Sequence, residues 1–173
     1  VHKKLRYKDK AFAVIVMAWI CMVGAVLILF GKSVPGGDAM SVYGIAESFA
    51  RGDMAAIHPV DSYLSYYPHQ GGLVAFLEVL FRVWNMLGIE QHAYHFIKGI
   101  YVILTCVTVY FGYRTVDKMW KNTFVNVLFL CFAAMNLPML LYSSFVYGEV
   151  PAFAAFTVGL YCLMCFAEKG HLC

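Results

Sequence analysis

Ala11 to Phe30 reads AFAVIVMAWICMVGAVLILF, twenty residues without one charge. As a helix rising 1.5 Å per residue the run is about 30 Å long, the thickness of a bilayer's hydrocarbon core. Before it, Val1 to Lys10 carries Lys3, Lys4, Arg6, Lys8 and Lys10 against Asp9 alone. That flank resembles a signal peptide's n-region. The apolar run is long for an h-region, however, and no clear small-residue cleavage site follows. The reading is a retained first span with its N-terminus in the cytoplasm.

The rest of the chain agrees with that start. Of 173 residues, 62% are hydrophobic and 13% charged. A soluble domain is nearer half apolar and a quarter charged, so this is an integral membrane protein. The basic residues are scattered around apolar spans, a pattern that does not fit nucleic-acid binding. Five of the six cysteines, Cys21, Cys106, Cys131, Cys162 and Cys165, lie in apolar runs and read as small buried hydrophobes. The chain begins with Val1 and stops soon after an apolar segment. The expectation is the N-terminal part of a longer protein.

Three further long apolar runs follow: Tyr94 to Tyr113, Thr123 to Leu141 and Val150 to Ala167. Leu73 to Leu87 is also apolar, but it is short and carries Glu78 and Arg82 four residues apart. Charge decides whether it spans. If it does, Arg114, Lys118 and Lys121 fall outside; if it does not, they join the N-terminal cluster inside, as does Lys169. The second arrangement obeys the positive-inside rule throughout. It predicts an all-α membrane protein, a single transmembrane domain over 1–173 with four spans and both ends cytoplasmic. Residues 31–93 then form the first extracytoplasmic loop, holding interfacial helices, and Tyr142 to Glu149 form a short second loop.

Within the long loop, Asp38 can cap a helix from about Ala39 to Arg51, on which Glu47 and Arg51 pair. A carboxylate held at a helix N-terminus is also oriented and kept ionised, as a base that takes a proton from a hydroxyl must be. Met54 to Gly72 reads as irregular. Its string YYPHQGG sets Tyr66, Tyr67, His69 and Gln70 side by side. Tyrosines here suit an aromatic belt, while His and Gln offer donors for phosphate or sugar hydroxyls. The paired Gly71 and Gly72 would let a ligand approach the backbone. Glu149 opens the last span, either as a first-turn acid facing the helix dipole or as a second polar group facing Asp38. His58, His69, His92 and His95 lack tight zinc-ligand spacing, and no phosphate-cradling glycine loop is present.

GGDAMSVYGIAESFARGD, YLSYYPHQGGLVAFLEVLF and NLPMLLYSSFVYGEVPAF together resemble the GT-C glycosyltransferases. The nearest likeness is to bacterial relatives of the dolichyl-phosphate-mannose protein mannosyltransferases. The resemblance covers most of the chain, through degenerate motifs. It implies a multi-span enzyme of the bacterial plasma membrane, moving a sugar from a polyprenyl-phosphate-linked donor to an acceptor hydroxyl on a protein, lipid or glycan outside the cell, generally with inversion. It implies Asp38 as catalytic base and Glu149 as a further site acid; Tyr66, Tyr67, His69 and Gln70 are the substrate-binding candidates that the residues themselves supply. Many members carry two adjacent acids after the first span, whereas Ala39 follows Asp38 here. A divalent cation stays open as cofactor, and the departure favours a lone base over a metal ligand. Lys32, Arg51 and His69 are the candidates for offsetting the phosphate charge. A fragment of this length is expected to lack part of the site. The competing readings are a non-catalytic multi-span scaffold and a transport subunit. The second would need intramembrane charges, which the spans almost lack.

Overall fold

The computed structural model describes residues 2–31, 34–54, 62–89 and 92–169. Its elements are α1 (His2–Phe30), α2 (Asp38–Ala50), α3 (Tyr63–Tyr66), a 3-10 turn (Pro68–Gln70), α4 (Gly71–Met86), α5 (Ala93–Trp120), α6 (Thr123–Met135), α7 (Leu137–Tyr142) and α8 (Glu149–Lys169). Among the described residues, three stretches are helical, long and apolar enough to cross a membrane: Asp9–Phe30, Ala93–Trp120 and Glu149–Glu168. The protein is therefore an all-α membrane protein, as its composition requires.

The fourth expected span, Thr123 to Leu141, is not one helix. α6 stops after thirteen residues, and Asn136 begins α7 by accepting a hydrogen bond from Met139 N at 3.2 Å. Pro138 stands in the first turn of α7. Its ring cannot sit inside a continuous helix, where the missing N–H and the clash with the preceding turn would cost about 3 kcal/mol.

Contacts at the two ends of the bundle show how the helices run. At one end, here the N-terminal end, Asn126 Nδ2 donates to Asp9 Oδ2 and to Asp117 Oδ1, both at 2.8 Å. Lys118 there pairs with Glu168 at 2.8 Å. The start of α1, the end of α5, the start of α6 and the end of α8 thus share that end. At the other, the loop end, Tyr94 Oη donates to Ser144 O at 3.3 Å, which joins the start of α5 to the turn before α8. Between the ends, Ala13, Val16 and Ile20 of α1 pack on Val109 and Tyr113 of α5 and Leu130 and Ala133 of α6.

α4 lies across the loop end. Leu73, near its start, sits against Gly148 just before α8. Trp84, near its finish, stacks on Phe96 at the start of α5 with ring centroids 4.9 Å apart. Both ends of α4 therefore touch the same end of the bundle. Leu73, Val74, Leu77 and Phe81 face inward against Val42, Ala46 and Phe49 of α2, while Val79, Val83 and Met86 are exposed. A helix apolar on both sides suits the edge of a bilayer. Its charges are paired: Arg82 meets Glu78 at 2.8 Å and also donates to Phe49 O at 3.2 Å, at the carbonyl end of α2. Arg51 and Glu47 pair on α2 as their spacing predicts.

Cys21, Cys106, Cys131 and Cys162 are free thiols. Cys165 departs from the expectation of a plain hydrophobe and is disulfide-bonded.

Candidate functional site

Asp38 does not cap α2. The residue before it, Gly37, takes φ +56°, the left-handed region open to glycine, and the helix begins one residue earlier than the sequence reading placed it. Asp38 is thereby the first residue of α2. No side chain caps this helix, so the Asp38 carboxylate is not consumed by the backbone N–H groups behind it.

Asp38 lines a cavity of about 630 Å³ at the loop end, together with Gly36, Tyr142, Tyr147 and Glu149. The two acids singled out in the sequence therefore meet in one space. Glu149 opens α8, and its Oε2 is buried with no hydrogen-bond partner. A buried carboxylate oxygen left without a donor is costly, by more than the 1–3 kcal/mol of a neutral group, and invites a ligand proton or hydroxyl.

The YYPHQGG string reaches the same place in part. The 3-10 turn aims Gln70 at the second loop, where its Nε2 donates to Tyr147 Oη at 2.7 Å. Tyr147 accepts that bond and keeps its own proton to donate. His69 stands beside Gln70, Nε2 to Nε2 at 3.4 Å, and its ring meets Tyr67 edge-on with centroids 6.0 Å apart. Tyr67 in turn lies 4.9 Å from the ring of Tyr63. Tyr63 faces Asp38 and Tyr147 without a well-formed hydrogen bond to either. Burial first, and then the negative field of Asp38, raises its pKa and keeps the phenol protonated.

Other expectations need correction. Tyr66 is 66% exposed and, like Tyr67, His69 and Gln70, is not among the residues that line this cavity or its neighbour. Tyr63 to Tyr66 are helical, with Ser62 Oγ accepting from Ser65 N, so the stretch is less irregular than its composition predicts. Gly71 and Gly72 are the first turn of α4 and not an open loop. Arg51 opens toward a different cavity with Trp84 and Asn85. Lys32 and His58 fall outside the described residues.

A second cavity, of about 440 Å³, adjoins the first and shares Pro138, Tyr142 and Glu149 with it. It is mainly apolar, lined also by Met139, Val150 and Phe153, with Thr105, Thr108 and Asn136 as its polar members. The break between α6 and α7 opens it, since a straight helix would carry these side chains elsewhere. Pro138, visible in the sequence as a helix breaker, was the only signal of it. Tyr101 was missed altogether: it is fully buried, its hydroxyl has no partner, and it lies in the field of Glu149. Among the described residues no group of three or more His, Cys, Asp or Glu side chains could hold a metal ion.

Compared with family models, curated proteins and solved structures, the chain matches none.

Proposed function

We propose that this chain is a membrane glycosyltransferase, or the site-bearing part of one, that uses a polyprenyl-phosphate-linked sugar. The observation that carries the reading is the pair of adjoining cavities. Both are walled mainly by apolar side chains; the first adds the carboxylates of Asp38 and Glu149, and the second runs from Glu149 along α5, α7 and α8. A donor with a lipid tail and a sugar head needs that sequence of surfaces. Asp38 takes the proton of the acceptor hydroxyl as its oxygen attacks the anomeric carbon. The bond from that carbon to the phosphate oxygen breaks on the opposite face, and polyprenyl phosphate leaves, with inversion. His69 and Gln70 donate to the phosphate or the sugar hydroxyls, and Glu149 orients a hydroxyl through its unpartnered oxygen. In this reading α6 and α7 together form the fourth crossing. The loop end faces outward from a bacterial plasma membrane, because Arg114, Lys118 and the basic N-terminal residues lie at the other end.

The test is Asp38→Asn in the full-length protein, assayed for transfer from a polyprenyl-phosphate sugar. Transfer is expected to fall at least about 100-fold, the usual contribution of a general base, with unfolding temperature retained. Unchanged transfer would exclude Asp38 as the base. A wild-type protein inactive with every such donor would favour the scaffold reading.

A further inference from the structure

At the N-terminal end, far from the acid cavities, a cleft of about 550 Å³ separates α1 from α5. Lys10 and Arg114 stand at its head, and Ala13, Val14 and Met17 run beneath them along α1. Tyr110, Tyr113 and Asp117 complete the wall from α5. We propose that this cleft binds an anionic phospholipid, its phosphate on Arg114 and Lys10 and an acyl chain along Ala13, Val14 and Met17.

Arg114 carries the argument. Its Nη1 donates to Tyr110 Oη at 2.8 Å and its Nη2 to Tyr161 Oη at 2.9 Å. Its guanidinium also lies over both rings, 5.8 and 5.3 Å from their centroids. Two of its five N–H groups are thus engaged by neutral phenols. The side chain is fixed in place by groups that carry no opposing charge. Among the described residues neither Arg114 nor Lys10 makes an ion pair. Lys118, one turn further along α5, is different, being paired with Glu168. A fixed planar fork suits two oxygens of one phosphate.

Asp117 shares the cleft with Arg114 and Lys10, two cations to one carboxylate, and both nearby acids are engaged elsewhere. Asp117 accepts from Asn126 Nδ2, and Asp9 accepts from the same nitrogen inside the interface of α1 and α6. The order of surfaces identifies the ligand class. Cations at the membrane edge are followed at once by an apolar strip that includes Val14, 69% exposed. A lipid uses both surfaces, whereas a free phosphate would use only the first.

The test is native mass spectrometry and lipid titration on the full, delipidated chain in detergent, with phosphatidylglycerol and phosphatidylcholine as probes. Phosphatidylglycerol is expected to bind, and Arg114→Gln and Lys10→Gln are each expected to weaken it roughly fivefold, with phosphatidylcholine unchanged. Should Arg114→Gln fail to fold, Lys10→Gln, on an exposed side chain, decides alone. Equal losses for the two lipids, or no loss, would overturn the proposal. So would displacement of the lipid by millimolar glycerol phosphate, which would mark a site for the phosphate alone.

Discussion

The Asn126 amide nitrogen donates to two carboxylates at once, and it is the only hydrogen-bond donor to Asp9 among the described residues. Asp9 is 1% exposed and its Oδ1 has no partner. Asn126→Leu is therefore expected to destabilise the protein by about 3 kcal/mol, because a buried charged acceptor loses its donor. Adding Asp9→Leu should recover part of that loss, since removing both partners removes the orphan. Unfolding temperatures of the two variants in detergent check this, and a double variant less stable than Asn126→Leu would contradict it. Tyr43 makes a second prediction, in pH. Burial, and next the charge of Glu47, pushes its pKa from 10.0 up to about 12. The fold thus favours the neutral phenol. The stability so contributed is complete below about pH 10 and is lost as pH rises toward about 12. Stability measured from pH 9 to 12 should fall less steeply in Tyr43→Phe than in the wild type.

At the scale of elements, α1 meets α5 closely at Gly24. A Cβ there would run into both methyls of Val102. Without a hydrophobic drive between helices in lipid, close packing of small residues is a main source of their association. Gly24→Ala should cost about 1–3 kcal/mol through overpacking, and Val102→Ala on the same chain should relieve it. Thermal unfolding of the single and double variants measures the coupling. The pairs Glu47–Arg51 and Glu78–Arg82 were legible in the sequence, since residues four apart on a helix are neighbours whatever surrounds them. The break at Asn136 was not, because the apolar run through Pro138 reads as continuous at the scale of hydropathy. The start of α2 moved for a similar reason: the backbone angle of Gly37, and not the capping preference of aspartate, decides where the helix begins.

For the whole molecule, the orientation of α4 sets how many times the chain crosses the membrane. With both its ends at the loop end, residues before and after it are expected on one side. Met54→Cys and Ile89→Cys, both at exposed positions, should react with a membrane-impermeant maleimide from the same side, and Lys121→Cys from the other. Reaction of Ile89→Cys from the side of Lys121→Cys would mean that α4 crosses. The same arrangement gathers the candidate site. α2, the turn before α4 and the start of α8 are distant in sequence and share only the loop end.

The sequence by itself determined that the protein is helical and lives in a membrane, because a bilayer accepts an apolar helix of about twenty residues on local grounds alone. It also pointed to Asp38, Glu149 and Gln70 as polar groups in the segments lipid rejects. Only the tertiary structure decided that Asp38 and Glu149 share a cavity, that Gln70 reaches Tyr147, and that Tyr66 stays outside. The reason is physical: those meetings depend on how α2 and α4 pack across the ends of α5 and α8. That packing is a property of many side chains at once and of no single stretch.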